Sequence, residues 1–138
     1  MLVEMEVREL QLSDLMPTQI VILEEKHGKR RFPIFIGPHE AAALDQAVHG
    51  RRNPRPLTHD LILNVLDGLN ADLEAVCVSQ LRDEVFYGQL HLRLPDQHQI
   101  QVDTRPSDAM VLAVKRGAPI FVAEEVFEAM TERDDGGL

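Results

Sequence analysis

Regular alternation of apolar and polar side chains in the second half of the chain is the strongest constraint on its fold. Between Phe86 and Leu94 an apolar residue or glycine occupies every second position. A period of two is typical of a β-strand with one buried face. The apolar run from Leu73 to Leu81 comes just before it, across the polar turn Arg82-Asp83-Glu84. The sequence therefore predicts a β-hairpin here.

The same reasoning assigns the other elements. Strands are predicted around Val3 to Val7, Ile20 to Leu23, Phe32 to Ile36, Ile100 to Asp103 and Pro119 to Ala123, and helices after Gly37-Pro38, after Thr58, after Ser107 and near Val126 to Met130. Long antiparallel runs with interspersed helices predict the α+β class, as a mixed, largely antiparallel sheet with helices packed on it. We expect one domain over 1–130 and a flexible tail over 131–138.

Composition limits the function classes. The 138 residues include six aromatic residues and no tryptophan, so a broad platform for stacking bases is not expected. A single cysteine, Cys77, excludes an internal disulfide and predicts a buried, inert thiol. We also expect no membrane span and no signal peptide, and thus a cytoplasmic protein.

Charge is unevenly distributed along the chain. The net charge is −9, which argues against nonspecific coating of nucleic acid. The segment from Lys26 to Arg55 nevertheless contains seven basic and two acidic residues, a net +5. Such a segment either forms one basic face that steers a polyanion, or a solvated hairpin tip and loop.

One local pattern occurs twice. Arg55-Pro56 and Arg105-Pro106 are each followed by a hydroxyl residue and then by an aspartate, at the expected start of a helix. The simplest interpretation is structural, with Thr58 and Ser107 as helix caps. A functional interpretation is that the arginines and the helix N-termini bind phosphate together.

Acidic residues near these helix starts suggest a metal site. If the fold gathers them, Glu40, Asp103 and Asp108 offer the oxygen ligands that Mg²⁺ or Mn²⁺ prefers. The alternative is a set of ion pairs between arginine and aspartate that fasten loops to helices. Among the six histidines, His59 stands beside Asp60 in a first helical turn. One interpretation is general acid–base catalysis, and the alternative is a packed or solvated side chain without a chemical role.

Four blocks of sequence, in order, are similar to the bifunctional nuclease domain family. They are Pro33-Ile34-Phe35-Ile36-Gly37 with Glu40-Ala41, Arg55-Pro56-Leu57-Thr58-His59-Asp60-Leu61, Asp103-Thr104-Arg105-Pro106-Ser107-Asp108-Ala109, and Ala118-Pro119-Ile120-Phe121-Val122. The resemblance covers about Met1 to Val126. It implies nuclease activity on DNA and RNA, as attributed to plant members, and it carries over as site positions Glu40, Arg55, Thr58, His59, Asp60, Asp103, Arg105, Ser107 and Asp108.

These observations lead to a first functional hypothesis, a metal-dependent nuclease. We assign catalytic roles to Glu40, His59, Asp60 and Arg105, and metal binding to Glu40, Asp103 and Asp108. Substrate binding is assigned to Arg30, Arg31, Arg51, Arg52, Arg55, Thr58 and Ser107. The partner is then nucleic acid, and a homo-oligomer is expected because edge strands need cover.

Two other functions are compatible with the same residues. In one, the chain is a non-catalytic, oligomeric binding or regulatory module whose Arg-Pro turns are purely structural. In the other, it is a metal-dependent hydrolase of small phosphorylated compounds.

Overall fold

A computed structural model describes the backbone of residues 1–136 and the side chains of residues 1–131. The strands are β1 (Leu2–Gln11), β2 (Gln19–Glu25), β3 (Arg31–Ile36), β4 (Asp72–Arg82), β5 (Val85–Arg93), β6 (Gln99–Thr104) and β7 (Ile120–Ala123), and the helices are α1 (Pro38–Val48), α2 (Thr58–Gly68), α3 (Pro106–Arg116) and α4 (Glu124–Gly136). The order of strands and helices is the predicted one.

The seven strands form a single mixed sheet in the order β3-β2-β1-β7-β4-β5-β6. Strands β1 to β3 form one antiparallel meander, and β4 to β6 form a second. Strand β7 joins the two meanders, antiparallel to β1 and parallel to β4. The predicted α+β class and the largely antiparallel sheet are thus confirmed.

The main core lies between one face of the sheet and the helices. Alternate residues of β3 and β5 point into it, among them Ile34 and Leu90, and α3 contributes an almost fully buried surface from Ala109 to Ala113. Helix α3 contacts β4, β5, α1 and α2, so it is the central helix of the domain. The predicted burial of α3 follows from its nearly continuous apolar sequence.

Strong curvature brings distant strands of the sheet together. The ring of Phe32 on β3 stacks on Phe86 of β5 with centroids 6.0 Å apart, although four strands separate β3 from β5. Phe127 of α4 meets the edge of Phe32 at 5.5 Å. On the other side of β4, Cys77 is buried as predicted, and burial raises the pKa of its thiol. The curvature places β3 next to the start of α3, where the candidate site lies.

Proline determines where two of the helices begin. Pro38 and Pro106 are the first residues of α1 and α3, and Arg105 before α3 is extended, with φ −70° and ψ 143°. The predicted caps are wrong in detail. Thr58 is the first residue inside α2, and Ser107 is buried one residue inside α3, so neither side chain caps its helix.

Gly88 on β5 permits a close approach of the chain that leads into α3. A Cβ atom at this position would lie 3.0 Å from the carbonyl oxygen of Thr104 and 3.3 Å from the nitrogen of Pro106. We expect Gly88→Ala to lower the free energy of unfolding by about 1–3 kcal/mol, because backbone must move. Gly68→Ala is the matched control. Its Cβ meets no atom within 4 Å, so it should stabilise α2 by about 0.5–1 kcal/mol in the same denaturant titration. Equal effects of the two substitutions would contradict this packing.

At the C-terminus, α4 extends to Gly136, so the backbone of 131–136 is helical. The predicted flexibility of 131–138 stays a prediction, and residues 137–138 lie outside the described residues. Within the described part of the chain, no helix combines the length and the apolar character that crossing a membrane requires.

Candidate active site

Three helices contribute to a network of charged side chains. Arg105 donates from Nε to Asp108 Oδ2 at 3.0 Å and from Nη1 to Glu40 Oε1 at 3.1 Å, so one guanidinium joins two carboxylates. His59 Nε2 lies 2.9 Å from Asp108 Oδ1. We call these four residues, Glu40, His59, Arg105 and Asp108, the charged cluster.

The charged cluster forms because the first turns of three helices meet. Glu40 is the third residue of α1, His59 the second of α2, and Asp108 the third of α3, while Arg105 immediately precedes α3. Helix α3 packs against both α1 and α2. Residues separated by up to 65 positions in sequence thereby reach hydrogen-bonding distance. The helix N-termini add positive potential, which favours anions at this place.

Electrostatics keep both carboxylates of the charged cluster ionised. Desolvation opposes ionisation of Asp108, but hydrogen bonds from Arg105 and His59 outweigh it, and the pKa of Asp108 lies below its usual value. A hydrogen bond from its own backbone amide, reinforced by Arg105, lowers the pKa of Glu40. The two carboxylates raise the pKa of Arg105 in turn.

The geometry of His59 leaves one ring nitrogen for chemistry. Nε2 hydrogen-bonds to the Asp108 carboxylate, and no hydrogen-bond partner of Nδ1 is found among the residues that the structure describes. The side chain is mostly buried, with an exposed fraction of 16%. A carboxylate that fixes the tautomer of a histidine is the arrangement that orients a general base.

Acid titration tests the lowered pKa of Asp108. A carboxyl group whose pKa falls on folding stabilises the protein above its unfolded value, about 3.9, and this contribution disappears as pH falls through the folded value. We expect Asp108→Asn to cost about 1 kcal/mol at pH 7 and to flatten the loss of stability as pH falls below about 4. Urea unfolding at a series of pH values measures both, and parallel curves for variant and wild type would contradict the assignment.

Asp60 faces a different direction from its neighbour His59. Its Oδ2 accepts a hydrogen bond from the Leu57 amide at 3.0 Å, and its Oδ1 pairs with Lys115 Nζ at 3.0 Å. These two partners lower the pKa of Asp60. Lys115 was missed by the sequence analysis. Lys115 lies seven residues after Asp108, so both lie on one face of α3, and this helical spacing could have identified Lys115 as a site residue.

A cleft of about 670 Å³ opens beside Asp60, and we call it the basic cleft. The loop between α1 and α2 contributes Arg51, Arg52 and Arg55 to its lining, and α3 contributes Lys115. The structure therefore brings together three of the predicted substrate-binding arginines. Helix α2 links the cleft to the charged cluster, because His59 and Asp60 are adjacent in its first turn.

The remaining predicted residues lie elsewhere. Arg30 pairs with Glu25 and Glu124 and lies 4.1 Å from the ring centroid of Phe127, and Arg31 lies near Glu24. Both line a surface cavity with α4, apart from the basic cleft. Thr58 is exposed beside His59. Ser107 is buried and lines a third cavity, of about 450 Å³, with Glu40 and Arg105.

The donor set predicted for Mg²⁺ or Mn²⁺ does not fit a metal ion in this arrangement. Among the residues that the structure describes, no three His, Cys, Asp or Glu side chains are grouped so that they hold a metal ion. Arg105 lies between Glu40 and Asp108, and Asp103 is exposed on the edge strand β6. Dependence on a divalent ion therefore stays a prediction, and the roles discussed below involve side chains alone.

Comparison with known proteins now adds to this geometry. The sequence profile of the bifunctional nuclease domain matches residues 21–134. The chain belongs to the bifunctional nuclease domain family. The profile spans all four residues of the charged cluster and all four basic residues of the basic cleft.

Relatives of this bifunctional nuclease domain occur in bacteria and plants. An uncharacterized protein of Mycobacterium tuberculosis is 39% identical over 107 residues, which are 78% of this chain and 63% of the relative. Bifunctional nuclease 1 of Oryza sativa subsp. japonica is 24% identical over 122 residues, which are 86% of this chain and 37% of the relative. The chain thus spans less than two thirds of the length of either relative.

Proposed function

We propose that this bifunctional nuclease domain hydrolyses phosphodiester bonds of DNA or RNA at the charged cluster. The observation that carries the proposal is that His59 and Arg105 contact the same carboxylate, that of Asp108. A proton acceptor and a guanidinium held in fixed relation are what attack on a phosphate requires. The name of the rice relative, bifunctional nuclease, supports the same chemistry.

Each member of the charged cluster has a distinct role in this proposal. His59 Nδ1 accepts a proton from the attacking water, while Asp108 keeps the imidazole in the required tautomer. As the oxygen of this water bonds to phosphorus, the P–O bond to the leaving oxygen breaks, and the leaving oxygen takes a proton from solvent water. Arg105 stabilises the negative charge that develops on the phosphate oxygens. Glu40 is a positioning residue, since its carboxylate holds the exposed guanidinium in place.

Access for the substrate comes from the cavity of about 450 Å³ that Glu40, Arg105 and Ser107 line. The side chain of Arg105 has an exposed fraction of 63%, so an incoming phosphate meets a guanidinium that still faces solvent. The opposite wall of this cavity comes from β3 and from the turn between β4 and β5. A phosphate that enters this cavity can therefore contact the Arg105 guanidinium directly.

Cleavage of defined oligonucleotides tests the proposal. The purified protein is incubated with single-stranded DNA and RNA in the presence of Mg²⁺, Mn²⁺ or EDTA. We expect cleavage that stays with the protein on a second column and that Asp108→Asn abolishes. Asp96→Asn is the matched control, because Asp96 also pairs with a histidine, His98, but does so in an exposed turn. No cleavage in any buffer, or equal loss in both variants, would refute the proposal.

The EDTA arm of this assay also tests the prediction of Mg²⁺ or Mn²⁺ dependence. Loss of activity in EDTA and its recovery with Mn²⁺ would show that a divalent cation is needed, and would overturn the proposal that the four side chains act alone. Full activity in EDTA would mean that the four side chains act without one.

A non-catalytic, oligomeric interaction module is the second candidate, and a separate observation favours it. Leu57, Leu61, Val65 and Leu69 recur every four residues along α2 and are each about half exposed or more. An apolar stripe on a helix surface is typical of a protein interface. In this alternative, Leu61→Gln changes the oligomeric state measured by sedimentation. Asp108→Asn then lowers stability, and neither the wild type nor the variant cleaves nucleic acid.

A further inference from the structure

We propose that the basic cleft binds the phosphodiester backbone of a single nucleic-acid strand beside the bond that is cut. This inference rests on the proposed function, and it specifies the form of substrate, single-stranded rather than duplex. It concerns Arg52, Arg55 and Lys115, none of which contacts the charged cluster.

Uncompensated positive charge is the first observation. Lys115 pairs with Asp60 at 3.0 Å, and Arg51 lies 3.7 Å from Asp45. For Arg52 and Arg55, no carboxylate lies within ion-pair distance in the described part of the chain. Two unpaired guanidinium groups that line the same cleft, in a protein of charge −9, form a local attractor for an anion.

The basic cleft is also held in shape. The amide of Arg51 donates to the Gln46 carbonyl at 3.0 Å, and Asn53 donates to the Gln46 side chain at 3.3 Å. These bonds fix the beginning of the loop to α1. The Asp60 carboxylate fixes its end through the Leu57 amide. The arginines therefore stand on a loop anchored at both ends.

Size and lining identify the ligand. A volume of about 670 Å³ lies in the range of small-molecule pockets, so a nucleotide of an unpaired strand enters it, whereas a double helix is too wide to enter and can only lie across its mouth. None of the described residues that line it is aromatic, so bases have nothing to stack on. Recognition then falls to the phosphates, which carry no sequence information. The cleft thus fits an unpaired strand of any sequence.

Position connects this cleft to the chemistry. Asp108 holds His59, and Lys115, seven residues further along α3, holds Asp60. Seven residues of helix correspond to about 10 Å. Lys115 in the basic cleft and Asp108 in the charged cluster are therefore close enough along α3 for a strand of a few nucleotides to span both.

Binding is measured separately from cleavage. Fluorescence anisotropy measures the binding of three labelled ligands: a 20-nucleotide single strand, a duplex of the same sequence, and a mononucleotide. The protein carries His59→Asn, so that the ligand is not cleaved during the measurement. We expect the single strand to bind most tightly. Arg52→Ala/Arg55→Ala should weaken it about tenfold or more at low salt, and lower the slope of log K against log salt by about 1.4.

Arg8→Ala/Arg82→Ala is the matched control, since it removes the same charge from β1 and β4, away from the basic cleft. It should change the affinity less than twofold.

Equal weakening by both double variants, equal affinity for duplex, or a mononucleotide that binds as tightly as the strand would overturn the inference. If Arg52→Ala/Arg55→Ala weakens binding and the control does not, but the wild-type protein cleaves no nucleic acid, the cleft assignment stands and the proposed nuclease activity fails. If the wild-type protein cleaves nucleic acid and Arg52→Ala/Arg55→Ala changes neither cleavage nor binding, the proposed nuclease activity stands and the cleft assignment fails.

Discussion

Replacing His59 by asparagine is expected to slow phosphodiester cleavage by about 10²–10⁴-fold, because the variant lacks a group that accepts a proton. Asparagine still donates a hydrogen bond toward Asp108, so the contact between α2 and α3 is retained in part. The rate of cleavage under saturating substrate measures the effect.

His98→Asn is the control for this experiment. His98 also pairs with an aspartate, Asp96, at 2.6 Å, but its side chain is 75% exposed in the turn before β6. Its replacement should leave the rate unchanged. A His59→Asn protein that cleaves at the rate of the wild type would exclude His59 as the base, even if the domain cleaves nucleic acid.

Replacing Arg105 by glutamine is expected to lower the cleavage rate by about 10²–10³-fold, the effect typical of a lost donor to a developing oxyanion. Glu40 and Asp108 then lose their shared cation. Stability should change by no more than about 1 kcal/mol, since exposed ion pairs contribute little. Activity should therefore fall far more than stability, which a purely structural role for Arg105 does not predict.

Two further variants sharpen this test. Arg105→Lys keeps the charge but loses the planar fork that spans both carboxylates, so its rate should lie between those of wild type and Arg105→Gln. Arg93→Gln is the control, because Arg93 pairs with Glu74 at 2.9 Å on the distant β4–β5 hairpin. Similar rates for Arg93→Gln and Arg105→Gln would contradict the assignment of Arg105.

Local patterns predicted the parts of the candidate site but not their connections. Periodicity located β5, and Pro106 located the start of α3, because strand alternation and proline geometry act within a few residues. The pairing of His59 with Asp108 spans 49 positions, and no local rule specifies it. The grouping of Glu40, Asp103 and Asp108 as metal ligands assumed that all acids near helix starts meet. Instead Arg105 joins two of them, and Asp103 stays on the edge strand.

The sequence by itself determined the order of strands and helices, the α+β class and the family, since each of these depends on short-range patterns or on similarity along the chain. Tertiary structure alone decided which charges meet. The insertion of β7 between β1 and β4, and the curvature that stacks Phe32 on Phe86, depend on packing the whole apolar face at once. That packing sets α1, α2 and α3 side by side, and their first turns then bring Glu40, His59 and Asp108 together around Arg105.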